Sequence, residues 1–173
     1  MNNQDVQKFI DSTKKLEKGH QLDLSSGEDL SVAIMNLIGI EEHMFFTSQK
    51  LGDTKYIDVL NTAREMRKEL MKKIVKEGQG EVWCTSKHLL SASMRLMEVG
   101  TKSLTKGNKK EANDYFKKSF DLYNLFWALN LGLVDSRSEA IKLDTKKDTP
   151  LPKKDFLGAV SKTINKILDC CRE

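Results

Sequence analysis

Proline is nearly absent. The chain has 2 in 173 residues, Pro150 and Pro152, both in one short stretch. With only 10 glycines beside them, there is too little turn chemistry for an all-β protein, which needs a turn every ten residues or so. The same scarcity excludes a collagen-like repeat and a Pro/Gly-rich disordered chain. Cysteine is scarce too: 3 residues, with Cys170 and Cys171 adjacent, give an odd count and a poor disulfide pair. A disulfide-built scaffold is excluded, and a reducing compartment is expected. The most apolar stretch, 125–134, is interrupted by Asn130 and Gly132 and is half the roughly twenty residues that a membrane span needs. The start, Met-Asn-Asn-Gln-Asp, has neither a basic cluster nor an apolar run behind it, so no signal peptide is expected. Together these absences predict a cytoplasmic chain without a membrane span.

What is present is a soluble balance of 39% apolar and 31% charged residues, in a length suited to one hydrophobic core. A single domain over 1–173 is expected. The net charge of +4 is too small to argue for nucleic acid, but it is unevenly spread. Residues 1–52 carry 5 Lys/Arg against 8 Asp/Glu, and the remainder carries 24 against 17. Such asymmetry suits a partner or a neighbouring subunit, and a solvated surface equally.

Apolar residues recur every three to four positions, and alternation of period two is nowhere sustained, so every element is predicted to be a helix. The periodicity places helices at 5–18, 27–50, 53–77, 81–105, 108–131 and 153–171, with a Lys/Asp/Pro-rich connection at 144–152. Ser26 with Asp29, and Asn108 with Glu111, resemble capping boxes; Asp53 is a candidate N-cap; Ser136 with Glu139 suits a short extra helix. Glycines at 19, 52, 78, 80 and 107 fall at boundaries, whereas Gly39 and Gly100 lie inside helices without an evident reason. The helix over 27–50 is apolar on more than one face and is expected in the middle of the packing, contacted on several sides. Long helices joined by tight turns predict an all-α fold: an up-down antiparallel four-helix bundle with additional N- and C-terminal helices.

Two stretches carry a resemblance. Residues 107–123, with small Ala112 and aromatic Phe116, resemble the second half of a tetratricopeptide repeat. They cover 17 of 173 residues and no copy recurs at that family's offset, which implies one helical hairpin rather than an array. Over 34–131, the segments Ile40-Glu41-Glu42-His43-Met44, Ala63-Arg64-Glu65-Met66-Arg67-Lys68-Glu69 and Val82-Trp83-Cys84-Thr85-Ser86-Lys87-His88 resemble an uncharacterised all-helical family from small-genome bacteria. That resemblance implies a helical fold and brings no activity, cofactor or catalytic residue.

Candidate sites begin with Glu41, a carboxylate interrupting the core stripe of Ile34, Leu37 or Ile38, and Met44 or Phe45. Buried alone it would neutralise or find a cation. Arg64 and Arg67 offer that cation from the next helix, Arg67 from among Ala63, Leu70 and Met71. A Glu–Arg pair fixing helix register is the expectation, with a ligand-binding or catalytic role, or a carboxylate reaching solvent, as the alternatives. For metal chemistry, Cys84 and His88 at i and i+4 share a face, and His43 or Glu42 would have to complete the set. Glu41, Glu42 and His43 are consecutive and converge poorly on one ion. The one Glu-x-x-His, from Glu17 to His20, crosses Gly19 instead of running along a helix. No cofactor is predicted, with a transition metal as the lesser option. Cys84, in a first helical turn beside Lys87 and His88, is also a candidate reactive thiol, though no base, orienting group or oxyanion site accompanies it.

The aromatics Tyr115, Phe116, Phe120, Tyr123, Phe126 and Trp127 spread too widely round their helix for one seam. Core filling alone is expected, with a face towards a partner subunit or a groove for an amphipathic helix as the alternative. Lys109, Lys110, Lys117 and Lys118 share their surface with Glu111 and Asp114, so nucleic acid is not expected. No phosphate-binding loop is present. The reading is a non-enzymatic helical bundle acting by protein contacts, as a homo-oligomer or adaptor. The alternative is a metal- or small-ligand-binding bundle with a polar site at Glu41, Arg64, Arg67, Cys84 and His88.

Overall fold

A computed structural model describes residues 24–76 and 80–133. They form four α-helices: α1 (Leu24–Leu51), α2 (Lys55–Ile74), α3 (Glu81–Thr105) and α4 (Lys109–Asn130), with no strand among the described residues. The helices expected over 5–18 and 153–171, the short one at Ser136 and the connection 144–152 lie outside the described residues. The four central helices answer the periodicity, and their ends differ from it in instructive ways.

α1 begins at Leu24, so Ser26 lies inside the helix and is not its cap. Asp53 caps one position early: Thr54 precedes α2 without a side-chain cap bond, while Asp53 Oδ1 accepts the backbone N–H of Lys55 at 3.0 Å. α2 stops at Ile74, short of Glu77, because Val75 turns to extended backbone (φ −90°, ψ 105°) and sinks its side chain into the core. Asn108 makes no cap bond either, and Glu111, its expected partner, instead accepts from Ser103 Oγ at 2.8 Å. The last turn of α3 has taken the carboxylate that would have closed the box. Gly107, at φ +84°, ends α3 in a Schellman turn: its N–H reaches the Leu104 carbonyl and the N–H of Asn108 reaches that of Ser103.

α3 and α4 form an antiparallel hairpin. Rising numbers on α3 meet falling numbers on α4: Ser86 with Asn130, Ser93 with Ser119, Ser103 with Glu111. Small residues at the contact (Ser86, Ser93, Gly100 and Ser103 against Ala112 and Ser119) are buried and let the two backbones approach. Ser93 and Ser119 bond reciprocally, each hydroxyl donating to the other's carbonyl, at 2.9 and 2.7 Å. α1 and α2 form a second hairpin, turning at Gly52 (φ +65°).

The two hairpins meet at one end. There Ile34 and Met35 of α1, Met71 and Ile74 of α2 with Val75, Leu89 and Leu90 of α3, and Tyr123, Phe126 and Trp127 of α4 form the core. Phe126 and Trp127 pack edge to face with centroids 5.2 Å apart. Away from this end each helix packs mainly on its own hairpin partner, with α1 touching α3 over a short stretch. α1 is contacted by α2, by α3 over a short stretch and by α4 at the shared core, but not along its whole length. Ile34 and Met35 are buried, whereas Val32, Ile40, Phe45 and Phe46 are exposed.

Gly39 lies where α1 and α3 leave a crevice between them: a Cβ built on it meets nothing within 4 Å. Gly39→Ala is expected to raise stability by about 0.5–1 kcal/mol, the helix-propensity difference, which for a chain of this size lifts the melting temperature by about 1–4 °C. A lowered melting temperature in a calorimetric scan would mean that α1 needs the glycine for close packing.

Candidate functional site

The polar residues singled out on α1 and α2 do come together. Arg67, one turn before Met71 on the buried side of α2, takes the seam position and leaves Met66 exposed. Its guanidinium grips Glu41 across the hairpin, Nε donating to Oε1 at 2.7 Å and Nη2 to Oε2 at 3.4 Å, while Nη1 lies 3.7 Å from the Met71 sulfur. Arg64 Nε adds a bond to Oε2 at 3.0 Å. The side chains of Arg67 and Glu41 are 5% and 13% exposed, that of Arg64 44%. Burial pushes the Glu41 carboxyl up, but the hydrogen bonds and charges of Arg67 and Arg64 outweigh it and hold the group below its usual range. Both carboxylate oxygens accept from arginine, so a cation at Glu41 would have to share a carboxylate that two guanidinium groups already neutralise.

The other candidates are spread out. Cys84 is a free, exposed thiol in the first turn of α3, and His88 is exposed one turn later. His43 is exposed on α1, beside a crevice of about 440 Å³ between α1 and α3 whose walls include Glu42, Phe46 and Met94. Arg95 spans that crevice, pairing with both Glu42 and Glu98. Among the described residues, no three His, Cys, Asp or Glu side chains gather as a metal site.

The aromatics of α4 divide between two roles. Tyr123, Phe126 and Trp127 fill the core, whereas Phe116 is half-buried over Gly100 and Phe120 is 44% exposed. Lys118 pairs with Asp114 as expected from their spacing, and Lys117 with Asp121, each at 2.6 Å.

Phe116 and Phe120 instead wall a groove of about 350 Å³ that α1, α3 and α4 form together. Val32 and Met35 line it from α1, Met94 and Met97 from α3. Its surface is almost wholly apolar, and Val32, Met97 and Phe120 are exposed along it. At its end by Tyr123 the polarity changes. The Tyr123 hydroxyl lies 2.7 Å from Ser31 Oγ, which donates to the Glu28 carbonyl at 2.7 Å; burial raises the phenol above its usual range. Glu28 lines the same end, and the sequence reading missed it. The available signal was the spacing of Glu28, Val32 and Met35, which sets a carboxylate at the head of an apolar stripe.

No helix among the described residues is long and apolar enough to cross a membrane. Comparison with protein-family models, curated proteins and solved structures found no match, so no relative's chemistry is carried onto these residues.

Proposed function

We propose that this chain is a non-enzymatic adaptor that works by protein contact, its groove between α1, α3 and α4 receiving an amphipathic helix of a partner. The observation that carries this reading is the run of exposed Val32, Met97 and Phe120 along one concave apolar surface. Methionines suit such a surface, since an unbranched thioether adapts to differing anchors. The adaptor form is preferred to a homo-oligomer because a symmetric dimer needs a self-complementary patch, and this one is a trough. A metal or small ligand at Glu41 is the lesser alternative, since two arginines already satisfy that carboxylate. The exposed Cys84 thiol and the odd cysteine count support a cytoplasmic place. The apolar periods at 5–18 and 153–171 support terminal helices added to the four.

The test uses the full chain labelled at its methionine methyls and titrated with an uncharged, leucine-striped helical peptide. Met94 and Met97 signals are expected to shift saturably while Met71, buried in the core, stays put. Absence of any saturable shift up to millimolar peptide removes the reading. Sedimentation over micromolar concentrations is expected to give a monomer; a dimer would restore the homo-oligomer.

A further inference from the structure

The groove's apolar length does not account for its polar end. Glu28 sits one turn before Val32 on the wall that α1 supplies. Its Oε2 is buried and without a hydrogen-bond partner, and no described cation pairs with it. Burial, with the charge of Asp29 beside it, pushes this carboxyl above its usual range. The neighbouring hydroxyls do not relieve it: Ser31 donates to the Glu28 backbone carbonyl, which leaves the Tyr123 proton for Ser31. A carboxylate so placed gains from any cation that arrives with its own hydrogen-bond donors.

The apolar walls have helical spacing. Residues 28, 32 and 35 of α1 and 116, 120 and 123 of α4 each give about two turns, the reach of i, i+3 or i+4, i+7 anchors on a docked helix. A lysine or arginine on that helix lays its aliphatic stem on the apolar floor and delivers its head to the groove's end. Resting on the adaptor reading above, we propose that the partner helix is basic as well as amphipathic: its apolar anchors pack on Met94, Met97 and Phe120, and one lysine or arginine pairs with Glu28. This charge complementarity is what separates the partner from an arbitrary hydrophobic helix.

Two labelled synthetic peptides test it on the full chain. Both carry the same leucine stripe; one has a lysine one turn beyond each end of it, the other norleucine at both positions. The lysine peptide is expected to bind about tenfold tighter, the size of one partly buried charge-assisted bond. With Glu28→Gln the two peptides should bind alike, and with Phe120→Asp both should lose most of their affinity. Unchanged melting temperatures would show that both variants fold. Equal affinities on the native chain would overturn the cation while leaving the groove reading intact. If neither peptide binds saturably, both fall. Self-association that Phe120→Asp abolishes would put a second copy in the groove and overturn the basic partner.

Discussion

Glu41→Ala should cost about 3 kcal/mol of folding stability, among the largest effects of any single substitution on α1. The change deletes the carboxylate to which Arg67 is bound and leaves a guanidinium that is 5% exposed without its counterion. Removing one member of a buried pair is costlier than the pair is worth, because the survivor stays desolvated. Arg67→Ala should cost somewhat less, since Arg64 remains on Oε2. Arg64→Ala should cost under about 1 kcal/mol, because its side chain is 44% exposed and its bond is screened by water. The joint change Glu41→Leu with Arg67→Met should lose far less than the two single losses together. Urea unfolding of the four variants reads all of this. If Glu41→Ala melted with the native chain, the pair would not be holding the α1–α2 hairpin.

The same pair gives a pH dependence of known sign. The Glu41 carboxyl is held below its ordinary range in the folded chain, so the unfolded chain binds a proton there more readily. Its contribution is fully present above the unfolded value of about 4.3 and is lost as pH falls through the lower folded value. The native chain should therefore lose more stability than Glu41→Gln between pH 5 and pH 2. An equal loss in both would assign the acid sensitivity to other carboxylates.

The reason the Glu41 cluster could be read from sequence is that it is local in register. A carboxylate on one apolar stripe and an arginine on the next, across a three-residue turn, have few other ways to meet. Burial in α2 was legible at Leu60, Ala63 and Ile74, whereas periodicity left Met66 and Arg67 both open at the seam position that Arg67 takes. The position of the core was not. Periodicity says which face of a helix is apolar, not how far along the neighbouring hairpin opposes it, so Phe45, a candidate for the core stripe beside Met44, proves exposed, as does Phe46. The cap at Asn108 failed through competition: Glu111 suits a box with Asn108, yet Ser103 reaches it from the preceding helix. The groove was half visible as aromatics in excess of one seam. Its carboxylate end required knowing that Glu28 and Tyr123, 95 positions apart, lie together.

Gly100→Val is the second change with a large expected effect, about 3 kcal/mol, and it contrasts with the gain expected at Gly39. A Cβ at position 100 would stand 2.6 Å from Phe116 Cε1, 2.7 Å from Cδ1 and 3.2 Å from the Tyr115 Cβ. The ring of Phe116 is half-buried and can turn aside; the Tyr115 Cβ is fixed to the α4 backbone and cannot. Alanine therefore sets a helix-propensity gain of about 1 kcal/mol against displacement of one ring and a tight contact with the Tyr115 Cβ, and should come out within about 1 kcal/mol of native. Valine adds two branches at a contact where the backbones already approach closely, and must part the helices. Parting them breaks the reciprocal Ser93–Ser119 bonds, whose buried hydroxyls then lack partners. Phe116 also walls the groove, so Gly100→Ala should weaken peptide binding while leaving the melting temperature almost unchanged. Adding Phe116→Leu to Gly100→Val makes room for the branches and should recover part of the lost stability. No recovery would place the strain at Tyr115 and the backbone. A valine variant as stable as the native chain would mean that α3 and α4 do not need their close approach, and Gly100 would again be without a reason.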